Sequence, residues 1–201
     1  MRMIAATKNK GKIREIAKIF GDLGIDVVSA QEVGINIDVE ETGSSFTENS
    51  LIKARTIAMF CDDIVIADDS GLCVDALGGK PGIHSARYAG ENASDKDRLE
   101  KLLLEMKNKE DRAAKFVTSV AVVFPDGREF TALGEVKGHI LREPIGSNGF
   151  GYDPIFYCDE INKSFASAQE DEKNSVSHRS RALKAMYEKI KDYLNVKGVT
   201  E

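Results

Sequence analysis

Two neighbouring carboxylates, Asp68 and Asp69, follow the apolar run Ile64-Val65-Ile66-Ala67 and precede Ser70-Gly71. Four apolar residues in a row fit a strand covered on both faces. The C-terminal ends of such strands are where α/β proteins place ligands. A carboxylate there can hold a divalent cation or take a proton from an attacking water. Neighbouring side chains on a strand point to opposite faces, so Asp68 and Asp69 are expected to have different jobs. An Asx turn closing the strand is the plain alternative.

Three further clusters have chemistry-bearing composition. Thr7-Lys8-Asn9-Lys10-Gly11-Lys12 lies between a first apolar run and a helical pattern. A strand-to-helix turn with a glycine points backbone N–H groups outward, and three lysines add positive potential, which together suit phosphate. The spacing is not that of a Walker P-loop, and a basic, solvated helix start has the same composition. Gly146-Ser147-Asn148-Gly149-Phe150-Gly151-Tyr152-Asp153-Pro154 has three glycines in six residues, so backbone can approach a ligand closely. Phe150 and Tyr152 would offer an aromatic face to a nucleobase, or serve as core aromatics in an irregular loop. Ser177-His178-Arg179-Ser180-Arg181 opens the last helical pattern with donors suited to an anion or a carbonyl oxygen, and Lys173 lies just before it. The acidic pair Glu40-Glu41 sits on a loop. A divalent ion that bridges phosphates needs only one or two protein carboxylates, so Glu40 or Glu41 with Asp69 would suffice. A cradle, a metal-competent acid, an aromatic glycine loop and a donor cluster together describe a nucleoside triphosphate site. No nucleophile–histidine–acid triad is visible, and direct attack by water is the simpler mechanism.

The elements that must position these residues follow from periodicity. Residues 3–6 read as a buried strand, and Ile13, Ile16, Ala17, Ile19 and Phe20 mark a helix face. Residues 25–29 read as a second strand, 46–60 as a helix, and 64–67 as the strand before the two aspartates. Residues 78–90 are loop-rich. Ser94 with Asp97 resembles a capping box opening a helix. Residues 116–124, the turn 125–128 and residues 129–137 form the clearest hairpin. Leu183, Met186, Tyr187, Ile190 and Leu194 stripe the last helix. The order predicts an α/β fold, a mixed sheet with flanking helices.

Composition narrows the function classes. The 201 residues carry a formal net charge of -5, a poor match for a nucleic-acid backbone. No apolar run approaches the ~18 residues of a membrane helix. The start, Met1-Arg2-Met3-Ile4-Ala5-Ala6, does not read as a signal peptide, so a cytoplasmic location is expected. Cys61, Cys73 and Cys158 are odd in number and far apart, and His84, His139 and His178 are scattered. Neither a disulfide framework nor a zinc site is indicated, and any metal should be a hard ion held by carboxylates.

Taken as a set, residues 7–12, 40–43 with Phe46-Thr47-Glu48-Asn49, 67–72, 78–82 with Ser85-Ala86-Arg87-Tyr88, 149–156 and 177–183 resemble the Ham1/RdgB-type inosine triphosphate pyrophosphatase family. The segments stand in the family's order and span nearly the whole chain. The resemblance implies one domain, residues 1–201, with an elongated mixed sheet dividing two lobes around a cleft, in a homodimer. It implies Mg²⁺-dependent hydrolysis of ITP, dITP and XTP to the monophosphate and pyrophosphate. By the same resemblance Thr7, Lys8, Asn9, Lys10, Gly11 and Lys12 hold the phosphates. Asp69 is the proton acceptor and a metal ligand, with Glu40 a second ligand. Ser70, Phe150, Gly151, Tyr152, Asp153, Lys173, His178 and Arg179 contact the substrate. One departure is that Lys8 stands where the family often has glycine. A Maf-like pyrophosphatase for other modified nucleotides and a nucleotide sensor without turnover are the alternative readings.

Overall fold

The apolar run near the start forms β1 (Arg2–Ala5), followed by α1 (Lys10–Phe20), β2 (Asp26–Ser29), α2 (Phe46–Ala58) and β3 (Ile64–Val74). The computed structural model describes residues 1–196, so the last five of the 201 lie outside the described residues. The chain continues through α3 (Asp95–Glu105), β4 (Ala113–Val123), β5 (Glu129–Ile140), β6 (Phe156–Cys158), β7 (Lys163–Ser164), α4 (Glu170–Val176) and α5 (His178–Val196). The sheet is mixed, seven-stranded and ordered β2-β1-β3-β4-β5-β6-β7. β1 pairs in parallel with both β2 and β3, with Ile4 opposite Val28 on one side and Val65 on the other. β5–β6 and β6–β7 are antiparallel.

This strand order decides which helix covers which face. The β1-to-β2 connection steps one way along the sheet, and the β2-to-β3 connection steps back past β1. Both crossovers share one hand, so α1 and α2 must lie on opposite faces. Side-chain alternation agrees. Met3, Ala5, Ile64 and Ile66 pack with Ile16 and Phe20 of α1 and with Leu183, Met186 and Ile190 of α5. Ile4, Val65 and Ala67 pack with Ala54 and Ile57 of α2. The helix stripes read from the sequence are these contacts.

Two compact units divide the chain. One comprises Met1–Asp69, Thr118–Gly134 and the chain from Ser180; the other comprises Ser70–Val117 and Glu135–Arg179. The core of the second unit gathers Leu72, Val74, Leu102, Met106, Phe116 and Phe156, with the Phe116 and Phe156 rings 4.7 Å apart. The Ser94–Asp97 capping box is formed at the start of α3.

The structure corrects one expectation. β3 does not stop at residue 67 before a glycine turn but runs to Val74, so Asp68, Asp69, Ser70 and Gly71 lie inside the strand. Leu72 and Val74 carry the period of two onward into the second unit's core, and Leu72 N–H donates to Ser85 Oγ at 2.9 Å. The short β6 and β7 and the polar α4 have too few apolar positions to show a period. Among the described residues no helix is long and apolar enough to cross a membrane.

Candidate active site

In the first unit the two carboxylates of β3 point to opposite faces of the sheet. Asp68 shares the face of Ile64 and Ile66 and meets α1, its Oδ2 lying 2.8 Å from Lys12 Nζ. Asp69 shares the face of Val65 and Ala67 and meets α2. Asn49 Nδ2 donates to Asp69 Oδ2 at 3.1 Å, and Lys53 Nζ stands 3.6 Å from Oδ1. Asn49 and Lys53 are four residues apart, so a single face of α2 presents both. Lys53 also donates to Glu41 Oε1 at 2.7 Å. Both aspartates are buried. Burial raises the Asp69 pKa above its ordinary value. Lys53 and the Asn49 hydrogen bond oppose this, while Glu41 and Asp68 add to it, and the net direction is upward. Asp69 is therefore a stronger base than an ordinary aspartate.

The turn before α1 is organised by its own side chains. Asn9 caps the helix, its Oδ1 accepting from Gly11 N–H at 2.8 Å and Lys12 N–H at 3.2 Å, and Asn9 N–H donates to Thr7 Oγ1 at 3.2 Å. The outward-pointing N–H groups expected here are thus engaged by Asn9 at two positions, because an N-cap amide satisfies the helix's own first donors. Lys12 lies inward on Asp68, whereas Lys8 and Lys10 are exposed. A cavity of 290 Å³ adjoins the turn, with Thr7, Lys8, Lys12, Glu41, Lys53 and Asp68 on its polar wall. Three lysines share that space with three acids, Asp38, Glu41 and Asp68. Glu40 is exposed, and Glu41 is the acid that reaches Lys53.

Carboxylate oxygens from Asp69 and Glu41 both flank Lys53 Nζ, a donor set that fits a hard divalent cation. Among the described residues no group of three or more His, Cys, Asp or Glu could hold a metal. A Mg²⁺-type ion, which takes its other ligands from water and substrate phosphate, does not need one.

The second unit holds the remaining candidates. Asp153 organises the glycine loop: its Oδ2 accepts from Phe150 N–H at 2.9 Å and from Lys173 Nζ at 2.5 Å. Gly149 has φ +77°, and a Cβ there would run into the Asp153 carboxylate. Gly151 N–H donates to Asp95 Oδ2 at 2.8 Å, tying the loop to α3. Phe150 is 55% exposed, with Lys173 Nζ 5.0 Å from its ring centroid. Tyr152 differs from the expected second aromatic face: its ring belongs to the core and its hydroxyl donates to Ser85 O at 2.9 Å. His178 and Arg179 are buried in the first turn of α5. The His178 ring stacks on Phe116 at 4.8 Å, and Arg179 Nη2 lies 3.4 Å from Ser70 Oγ.

Sequence reasoning missed Lys53 and gave Asn49 no role. The available signal was two polar residues at i, i+4 spacing among the inward positions of α2, next to Ser50, Ala54 and Ile57.

The parallel β-α-β start and the acidic pair inside a central strand define an α/β protein with a cavity lined by both lysines and carboxylates, and its relatives place it more narrowly. The Ham1 family profile matches residues 3–189, and the chain belongs to the Ham1 family. A relative from Bacillus licheniformis named dITP/XTP pyrophosphatase is 48% identical over 186 residues, covering 92% of this chain and 95% of its own length. A Clostridium tetani protein of the same name is 46% identical, covering 97% and 98%. The solved structure of the Staphylococcus aureus Ham1 protein superposes with a TM-score of 0.90 at 42% identity, covering 96% of this chain and all of that one.

Proposed function

We propose that this protein is a house-cleaning nucleoside triphosphate pyrophosphatase acting on dITP, XTP and ITP and releasing the monophosphate and pyrophosphate. The observation that carries the reading is Asp69, a buried carboxylate of raised basicity held by Asn49 and by Lys53, which itself lines the cavity with Lys8 and Lys12. Family membership over nearly the whole chain replaces the Maf-like alternative.

In this reading Asp69 accepts the proton of the water that attacks the α-phosphorus. Its raised pKa brings its basicity closer to neutral, where a general base works best. Lys12 and Lys53 hold phosphate oxygens, and Asp68 keeps Lys12 extended into the cavity. Thr7, Lys8, Asn9, Lys10 and Gly11 complete the phosphate side. In this reading the cavity beside the Thr7–Lys12 turn takes the phosphate tail. The purine is assigned to the second set of residues. Phe150 offers the exposed ring, Asp153 and Lys173 hold the loop under it, and Arg179 and His178, with Ser70 and Gly151, are the polar contacts. Tyr152 supports the loop from the core.

Asp69, with Glu40 or with Glu41, which already reaches Lys53, would hold a hard divalent cation, taken here as Mg²⁺ from the family resemblance. Such an ion supplies charge neutralisation at the phosphates when bound. A cytoplasmic homodimer completes the proposal.

The test is incubation with a divalent cation and a panel of dITP, XTP, ITP, ATP, GTP and methylated pyrimidine triphosphates, with product identification in ¹⁸O-water. Pyrophosphate, with label in the monophosphate, is expected from the first three. Binding without product, orthophosphate as first product, or label in pyrophosphate would refute it.

A further inference from the structure

Asn49 is a fully buried amide in the first turns of α2. Asparagine is a poor helix former, and a polar side chain at such a position needs a partner for each end. Here both ends are engaged across three separate segments. Nδ2 donates to Asp69 Oδ2 at 3.1 Å on β3, and Oδ1 accepts from Gly43 N–H at 2.8 Å on the loop that carries Glu41. Only one orientation of the amide serves, because a carboxylate accepts and a backbone N–H donates.

Gly43 is a second, independent observation. It is not a positive-φ glycine, so its freedom of conformation is not the reason for its presence. A Cβ added there would stand 2.7 Å from Asn49 Oδ1 and 2.7 Å from Glu48 Cβ. The backbone passes so close to α2 that only glycine fits. The next residue is stitched to the same helix turn, Ser44 N–H donating to Glu48 Oε2 at 2.6 Å. One helix turn therefore holds both the loop behind Glu41 and the carboxylate of Asp69.

We propose that Asn49 is a positioning residue: one amide orients the Asp69 carboxylate and, through Gly43, registers the acidic loop against it. The inference rests on reading Asp69 as the proton acceptor. Asn49 touches no substrate; it acts through Asp69.

The test measures kcat and KM for dITP, with melting curves, for full-length Asp69→Asn, Asn49→Ala, Asn49→Asp, Gly43→Ala and the Asn49→Ala/Gly43→Ala double variant. A misplacement of about 1 Å can cost on the order of 10²-fold, so Asn49→Ala should lower kcat about 10–100-fold with KM within about threefold. Asn49→Asp is the discriminating variant. It is isosteric and still accepts from Gly43 N–H, but it presents a carboxylate to Asp69 where the amide donated. Its kcat should fall at least as far as that of Asn49→Ala. Gly43→Ala should lower kcat at least as far, because its Cβ meets both Asn49 Oδ1 and Glu48 Cβ, and the double variant should lose little more than Gly43→Ala alone, because that Cβ already displaces the Asn49 amide. Wild-type kcat in Asn49→Asp would make Asn49 a loop pin only and overturn the proposal, as would additive losses in the double variant or losses confined to KM. Should Asn49→Asp not fold, the Asn49→Ala/Gly43→Ala cycle still decides. An active Asp69→Asn removes the underlying reading and the proposal with it, an outcome distinct from an inactive Asp69→Asn beside an unimpaired Asn49→Ala.

Discussion

Replacing Asp69 by asparagine separates the charge of this side chain from its shape. The amide keeps an oxygen to accept from Asn49 and fills the same volume, but it cannot take a proton from water. A positioned general base contributes about 10²–10⁴-fold, equivalent to about 2.7–5.4 kcal/mol of barrier, and turnover of dITP should fall by that much. Stability should move the other way. At 3.6 Å and an effective dielectric near 20, the attraction of Lys53 for the Asp69 charge is about 5 kcal/mol. The pKa nevertheless lies above its ordinary value, so burial, with Glu41 and Asp68, outweighs Lys53 and Asn49. A group whose folded pKa is raised binds its proton more tightly in the folded chain. Wild-type stability therefore declines as pH climbs from the ordinary value of 3.8 through the raised folded value, and the decline stays in place above it. Asparagine has no such decline. Lys53 meanwhile keeps Glu41 at 2.7 Å. Scanning calorimetry from about pH 3 to 8 should find Asp69→Asn gaining on wild type as pH rises above the ordinary value of 3.8, and melting within about 2 °C of wild type or above it at neutral pH. A drop of more than about 4 °C at neutral pH, about 1–2 kcal/mol for a chain of this size, would show that the charge is net stabilising and refute the reasoning. Activity above about a tenth of wild type would refute the assignment of the base.

Lys12→Met removes one partner of a pair whose acid, Asp68, is nearly inaccessible. Because Lys12 is a fifth exposed, the cost should be about 1–2 kcal/mol, below the ~3–5 of a fully buried pair, lowering the melting temperature by about 2–8 °C. Adding Asp68→Asn in the same chain should restore at least half of that on calorimetry. Phe150→Ala should leave the melting temperature nearly unchanged, since the ring is exposed, while KM for ITP rises about 5–150-fold from lost stacking. Gly149→Ala forces a positive φ on a side chain that meets the Asp153 carboxylate, so KM should rise about tenfold or more with circular dichroism unchanged. ITP and XTP should exceed ATP at least ~100-fold in kcat/KM, which needs about 2.7 kcal/mol, or one or two unpaired donors facing the adenine 6-amino group. Arg179→Ala should narrow that ratio, and an unchanged ratio would move the 6-oxo readout away from Arg179.

What the sequence made legible was whatever one element decides alone. The stripe Leu183-Met186-Ile190 and the alternation through Ile64-Val65-Ile66-Ala67 are local periods, and each packs where its period points. The different duties of Asp68 and Asp69 follow from the same pleat. Residues whose meaning depends on a second element were not legible. On an extended loop, Glu40 and Glu41 are equivalent until Lys53, twelve residues beyond Glu41, selects one of them. Asn49 and Lys53 look like ordinary polar positions of a helix until β1, β2 and β3 are ordered. The strand order β2-β1-β3 then puts α2 on the face to which Asp69 points and α1 on the face to which Asp68 points. That topology divides two adjacent carboxylates between two basic partners, Lys12 for one and Lys53 for the other. The chemistry assigned to the pair is thus a consequence of crossover handedness acting on a single Asp-Asp step, and moving that step by one residue along β3 would exchange their roles.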